Sequence, residues 1–140
     1  KVTMYSSYNM RARNTLLYFL NYYFADRENL VTPISALDFD RENPYFRELF
    51  TEVDYKEAYK QLSKEIRGLG ENIPPLINSY MNLSPTMKVF GTSINDGFGG
   101  VEETGIMVSI SDIYPEKIER YITPLRRLAK RFQPKWWRNR

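Results

Sequence analysis

The sequence predicts an α+β fold that is mostly helical and carries a short β-hairpin or small sheet. Apolar residues recur at helical spacing in several segments, each of which begins at a capping residue or a proline. Two later segments have the strand character of alternating side chains, and a glycine-rich turn separates them. Since the chain has 140 residues, 42% hydrophobic and 26% charged, we expect one domain over residues 1–140.

The first two helices are marked by asparagine caps. Residues 10–24 follow Asn9 and place leucines and aromatic residues on one face, which predicts an amphipathic helix. Asn43 precedes Pro44, and proline is favoured in the first turn of a helix because its missing N–H has no partner there anyway. We therefore expect a second, short helix through Phe50.

The third and fourth helices have equally clear start signals. Asp54 opens a capping box ahead of a long apolar stripe, and this helix should end at Gly68 and Gly70. The prolines at positions 74–75 then start a fourth helix, which we expect to run through Leu83.

The strands are predicted over residues 88–94 and 104–110, joined by turn-forming residues 95–100. Residues 30–31 have the composition of a further short strand. Two or three short strands are few for an independent sheet, so we expect additional strands upstream of residue 1.

A last, basic helix is predicted from Pro115, and Pro124 should kink or split it. Although the whole chain has a net charge of +3, residues 116–140 alone contain nine basic and two acidic residues. Residues 124–140 form a basic aromatic tail, which is typical either of contact with an anionic membrane or carrier protein, or of the solvated face of a terminal helix. The candidate contact residues are Arg126, Arg127, Lys130, Arg131, Trp136 and Trp137.

The chain contains no histidine and no cysteine. This composition excludes Ser-His-Asp triads, cysteine nucleophiles and imidazole or thiolate metal sites within the chain. Any chemistry performed here has to use carboxylates, lysine, tyrosine, hydroxyls, amides or water, and we expect no bound metal.

Two polar segments are candidates for substrate binding. Arg67 and Glu71 lie in the connection between the third and fourth helices, where they either bind a ligand beside the helix start or pair with each other. The fourth helix and the residues after it carry further hydrogen-bonding groups. Tyr80 can donate a proton and an asparagine can hold a carbonyl; alternatively the tyrosine is core and the amides are caps. The residues concerned are Asn78, Tyr80, Asn82 and Ser84.

Glu102 and Glu103 follow the glycine-rich turn. Neighbouring residues of a strand face opposite ways, so these two carboxylates make a poor acid pair. Either one can serve alone as a general base, or both are solvated charges at a strand edge.

Four segments of the chain resemble a known family: residues 1–5, 73–81, 83–87 and 101–106. They are similar to segments of bacterial proteins that carry the label hemolysin and look like GNAT-type N-acyltransferases, related to ornithine-lipid synthases and N-acyl-glycine synthases. The resemblance covers the chain up to about Ile122 and corresponds to the C-terminal part of such a fold.

The resemblance implies transfer of a long, often 3-hydroxylated acyl chain from acyl carrier protein, or from acyl-CoA, to the amino group of an amino acid. It implies an N-acyl amino acid lipid as product and a cytoplasmic protein at the inner face of the cell membrane. Such a reaction needs a base, a polarised carbonyl, an apolar groove and basic residues for the carrier protein. Glu102 or Glu103 would supply the base, and Tyr80 with Asn78 would act on the carbonyl.

Two other functions fit the sequence less well. The first is a non-catalytic module that binds anionic lipid or a protein partner through its basic tail. The second is nucleic-acid binding, which we do not expect because the first 115 residues are net acidic and carry no reading motif.

Overall fold

The computed structural model describes residues 1–51 and 53–125 and confirms the α+β class. Its helices and strands, in chain order, are β1 (Val2–Met4), α1 (Met10–Phe24), α2 (Pro44–Phe50), α3 (Tyr55–Gly68), α4 (Pro75–Met81), β2 (Lys88–Asn95), β3 (Val101–Met107) and α5 (Pro115–Lys117). The single domain over residues 1–140 and its basic aromatic tail over residues 124–140 remain predictions.

The first three helices begin at the predicted caps. The Asn9 side chain accepts from the amides of Arg11 and Ala12, and Asn43 and Asp54 cap α2 and α3 in the same way. These bonds satisfy amides that have no partner inside the helix, so they fix where each helix starts.

α4 ends at Met81, earlier than the predicted Leu83. The amide of Leu83 bonds to the carbonyl of Tyr80 at 3.0 Å, three residues back, so the chain closes with a tighter turn after the helix. The prediction was wrong here because an apolar residue that continues a helical stripe can also follow the last helical turn.

The sheet has three antiparallel strands in the order β1-β3-β2. β1 was not predicted, and β3 begins three residues before the predicted strand over residues 104–110. Gly99 and Gly100 both have positive φ and turn the chain directly before Val101, which allows pairing with β2 to start there.

The short strand predicted at residues 30–31 does not form. The carboxylate of Asp26 accepts from the amides of Glu28 and Leu30, which folds this segment into a local turn. The outer edge of β2 is covered instead by loop residues, among them Leu37, whose amide bonds to the carbonyl of Thr92 at 2.7 Å.

The core lies between α1, α3 and the sheet. Leu16, Phe19 and Leu20 of α1 are almost fully buried, as are Leu62 of α3 and Phe50 of α2. The rings of Phe19 and Phe50 meet edge to face with their centroids 5.3 Å apart, which is a favourable arrangement for aromatic side chains.

The segment after α5 is distorted, as Pro124 predicts. Ile118–Ile122 forms a π-helical stretch, in which the amide of Thr123 bonds to the carbonyl of Ile118, five residues back. Proline at position 124 has no amide with which to continue the regular helical pattern, so a change of register beside it is expected. No helix within residues 1–51 and 53–125 is both long and apolar enough to cross a membrane.

Candidate active site

Glu102 lies on the core side of the sheet, in the central strand β3. It is opposite Met4 of β1 and Ile94 of β2, and its Oε1 is 2.6 Å from Nη1 of Arg13 in α1. The Glu102 and Arg13 side chains are only 11% and 16% exposed. The second carboxylate oxygen of Glu102 is buried without a hydrogen-bond partner. Glu102 therefore holds α1 against β3 as one half of an ion pair.

Arg13 is a residue of this site that the sequence pattern does not predict. The sequence does place this arginine beside the apolar face of α1, a helix that was correctly predicted. Nothing in the sequence indicated which carboxylate, 89 positions away, would pair with it.

Glu103 lies on the opposite face of the sheet, as the alternation of strand side chains requires. It is opposite Thr3 and Ser93, and its Oε1 accepts from the Lys1 ammonium at 2.6 Å. The hydrogen bond from Lys1 lowers the pKa of Glu103 below its usual value, which makes this carboxylate a weaker base.

A first groove lies between β1 and the connection of α3 to α4. Its volume is about 500 Å³, which lies within the usual range for a small-ligand site. The groove brings together two of the sequence segments that carry the family resemblance. The lining residues are Lys1, Thr3, Met4, Tyr5, Ser7, Tyr8, Glu71, Asn72, Pro74, Pro75 and Leu76.

The polar part of this groove is held by two hydrogen bonds. The Tyr8 hydroxyl donates to the carbonyl of Asn72 at 2.8 Å, and Oε1 of Glu71 accepts from the amide of Asn9 at 2.9 Å. Burial and the charge of Glu71 raise the pKa of Tyr8 to about 12, so its hydroxyl keeps its proton near neutral pH. Oε2 of Glu71 takes part in neither bond and is the carboxylate atom suited to a ligand.

Arg67 is exposed and lines neither this groove nor the one described next. The expected ion pair between Arg67 and Glu71 is absent among the described residues. The amides of Gly70 and Glu71 turn back onto the carbonyls of Arg67 and Ile66, and this tight turn sends Glu71 to the start of α1.

A second groove lies between α4 and the segment around α5, and its volume is about 560 Å³. It brings three of the predicted substrate-binding and catalytic residues, Asn78, Tyr80 and Asn82, into one place. The lining residues are Leu76, Asn78, Ser79, Tyr80, Asn82, Leu83, Ile113, Lys117, Tyr121 and Ile122. Leu76 lines both grooves, so the two meet along α4.

The asparagines of the second groove are bonded to each other and to the core. Oδ1 of Asn78 accepts from the Tyr59 hydroxyl and, at 3.1 Å, from Nδ2 of Asn82. These bonds fix the Asn78 amide and leave its Nδ2 group as the donor for a ligand carbonyl. Tyr80 lines this groove, and it is partly buried and packs against the core, as its structural alternative expects.

Ser84 lies in neither groove. It is completely buried, and its hydroxyl accepts from the amide of Thr86 at 3.1 Å. The Thr86 hydroxyl in turn donates to Asp112 at 2.6 Å. This hydrogen bond, together with the one from Ser111, lowers the pKa of the Asp112 carboxyl. Ser84 thus stabilises a turn.

Glu102 and Glu103 also line neither groove. The six predicted contact residues of the tail lie outside the described residues: Arg126, Arg127, Lys130, Arg131, Trp136 and Trp137.

No protein-family model matches the chain, and no solved structure gives a significant match. Two curated proteins do match it. The glycine N(alpha)-acyltransferase of Phocaeicola vulgatus is 49% identical over 122 residues, and the protein of the same name from Bacteroides thetaiotaomicron is 53% identical over 122 residues. Each match covers 87% of this chain but only 37% and 36% of the respective relative. Over most of its length, the chain is therefore similar to about a third of a glycine N(alpha)-acyltransferase.

Proposed function

We propose that the whole protein is an N-acyltransferase that transfers a fatty acyl group from the thioester of acyl carrier protein to the amino group of an amino acid, glycine first among the candidates. The observation that carries this proposal is the identity of about one residue in two with proteins of that name over 122 residues. The product would be an N-acyl amino acid lipid.

The reaction requires no covalent enzyme intermediate, in keeping with a chain that lacks histidine and cysteine. The amine nitrogen attacks the thioester carbonyl, a C–N bond forms, the C–S bond breaks and the thiol leaves. Negative charge develops on the carbonyl oxygen, and the amine gives up a proton. The site therefore has to supply a donor to that oxygen and an acceptor for that proton.

The groups that the fold leaves available can fill these roles. Nδ2 of Asn78 would donate to the carbonyl oxygen, and the Tyr80 hydroxyl in the same groove would protonate the leaving sulfur. Oε2 of Glu71 would accept the proton that the substrate amine gives up in the first groove. Glu102 and Glu103, to which the family resemblance would assign the role of base, each already bind a cation.

The test uses the whole protein with an acyl-carrier-protein thioester and ¹³C-labelled glycine, followed by mass spectrometry of the products. We expect an N-acylglycine, and a loss of about 10²-fold or more in kcat for Asn78→Ala and Tyr80→Phe. Tyr22→Phe is the matched control, because Tyr22 is a 44% exposed tyrosine outside both grooves.

Lipid extracts of cells that express the full reading frame, compared with cells that carry an empty vector, test the same proposal without a chosen donor. A new N-acyl amino acid would identify both acceptor and chain. An abundant, folded protein that yields no acylated amine in either assay would contradict the proposal. Full activity in both Asn78→Ala and Tyr80→Phe would remove these residues from the site.

The basic tail supports a second proposal, contact with an anionic surface. Seven of the residues in 124–140 are basic, and two tryptophans accompany them. Deletion of the residues after Phe132 should weaken binding of the protein to phosphatidylglycerol vesicles. Unchanged binding would contradict this proposal and leave the acyltransferase proposal untouched.

A further inference from the structure

The second groove combines an apolar lining with one positive charge. Ile113 is 8% exposed and Leu83 is partly buried, whereas Leu76 and Tyr121 are about half exposed. Lys117 is the basic residue among the lining side chains. A groove of this composition is suited to the hydrocarbon part of a ligand that carries a negative charge.

One side of this groove has an unusual backbone. Tyr121 and Ile122 belong to the π-helical stretch Ile118–Ile122, in which hydrogen bonds reach back one residue further than in a regular helix. Such stretches are rare and occur frequently at functional sites. They widen the helix locally, and here the widened part carries two side chains of the groove lining.

The second groove also adjoins the first, because Leu76 lines both. The first groove contains Lys1 and Glu71, which are a cation and an anion, and the polar groups of Tyr8 and Asn72. The two grooves thus differ in character along α4: the first has charges of both signs, and the second has a predominantly apolar lining. An acyl amino acid has the same division into a charged end and a hydrocarbon chain.

We propose that the groove between α4 and the π-helical stretch binds the hydrocarbon chain of the acyl substrate and product. This inference rests on the proposed function, since it assigns to that reaction the place where its acyl chain lies. Leu76 connects this chain-binding groove with the first groove, where the Lys1 ammonium would complement the negative end of such a ligand.

The test measures binding of N-octanoyl-, N-dodecanoyl- and N-hexadecanoylglycine to the whole protein by isothermal titration calorimetry. Burial of each additional methylene in an apolar groove should increase affinity by about two- to fourfold, and the larger value applies to complete burial. We expect this increase to level off once the chain exceeds the groove.

Tyr121→Ser and Leu76→Ser should reduce the gain in affinity per methylene, because both remove apolar surface from the groove. Leu30→Ser is the matched control, since Leu30 and Leu76 are both leucines that are 51% exposed and Leu30 lies outside both grooves. Tyr22→Ser serves the same purpose for Tyr121. All four positions are at least 44% exposed, so the variants should fold.

The same gain per methylene in Tyr121→Ser, Leu76→Ser and the controls would overturn the inference. This outcome together with normal transfer of acyl groups to glycine would leave the proposed function standing. A reduced gain in the two groove variants supports the groove assignment, and if the protein then acylates no amine, the proposed function alone is contradicted.

Discussion

Removal of Arg13 should destabilise the protein strongly, because it leaves the Glu102 carboxylate without its cation. The two side chains are 2.6 Å apart at their nearest atoms and only 11% and 16% exposed. Opposite charges about 4 Å apart attract each other by roughly 4 kcal/mol at an effective dielectric constant near 20. Removing one partner of a buried pair usually costs about 3–5 kcal/mol. Since neither side chain is fully buried, we expect Arg13→Ala to lower the free energy of unfolding by about 3 kcal/mol.

The measurement is urea-induced unfolding at pH 7, followed by circular dichroism and extrapolated to zero denaturant. The matched control is Lys60→Ala in α3, because Lys60 pairs with Glu57 at 3.0 Å while the two side chains are 62% and 48% exposed. Such a surface pair contributes about 0.3–0.5 kcal/mol. A loss below about 1 kcal/mol in Arg13→Ala, at unchanged denaturant sensitivity, would refute the reasoning.

A double variant separates charge from packing. Arg13→Met combined with Glu102→Leu removes both charges and keeps most of the volume, so it should recover most of the stability lost in Arg13→Ala. If the double variant is as unstable as Arg13→Ala, the loss of stability arises from packing and not from the unpaired charge of Glu102.

Three further predictions concern the backbone, the first groove and the outer face of the sheet. Gly91→Ala should lower the free energy of unfolding by about 1–3 kcal/mol, since φ is +108° and the new Cβ would lie 3.1 Å from a proline ring. Gly68→Ala is the control, since Gly68 lies in the last turn of α3 with open space around it. This change should raise the free energy of unfolding by about 0.4–1 kcal/mol, measured by urea titration as for Arg13→Ala. Tyr8→Phe should destabilise the protein by about 1 kcal/mol through loss of its bond to a backbone carbonyl, while Tyr5→Phe, at a 70% exposed position, should have no effect; equal values would contradict the role of that bond. Because the pKa of Tyr8 is about 12 in the folded protein and about 10 when unfolded, the stability it contributes is complete below pH 10 and is lost as the pH rises toward 12, which denaturation at several alkaline pH values will measure. Glu103 has a lowered pKa, so the stability it contributes is present above its unfolded value and lost as the pH falls through the folded value; carboxylate titration by NMR should show it below its usual range, and an ordinary value would contradict its pairing.

Features encoded in neighbouring residues were predicted well. Asn9, Asn43 and Asp54 each accept from an amide two or three residues away, so a helix start can be read from a few positions. The glycines that follow β2 could likewise be recognised as a turn, although the strand after them was placed three residues too late. The predicted strand was also too long at its other end, because apolar residues alternate at positions 106 and 108 whereas β3 ends at Met107.

Features that depend on distant residues could not be predicted. β1 has only three residues, and it is a strand because β3 lies beside it. Glu71 was placed near Arg67 by sequence distance, whereas the turn after α3 brings it to Asn9, 62 positions away. The resemblance to known sequences identified the segments around the grooves, but the grooves themselves arise from how those segments pack.

A polar side-chain atom is available to a substrate only if it is not already bonded within the protein and if it lines a groove. Oε2 of Glu102 has no partner, yet it is buried and lines neither groove, so a ligand could reach it only by displacing the pair with Arg13. Glu71 and Asn78 are different, because each uses one side-chain oxygen to hold the structure and keeps a second polar atom in a residue that lines a groove. A group fixed by one bond and free at another atom is already oriented before the substrate arrives, and this lowers the cost of positioning it in the transition state. On this reasoning, the residues that lie on either side of Leu76 are better candidates for the chemistry than the two adjacent carboxylates of β3.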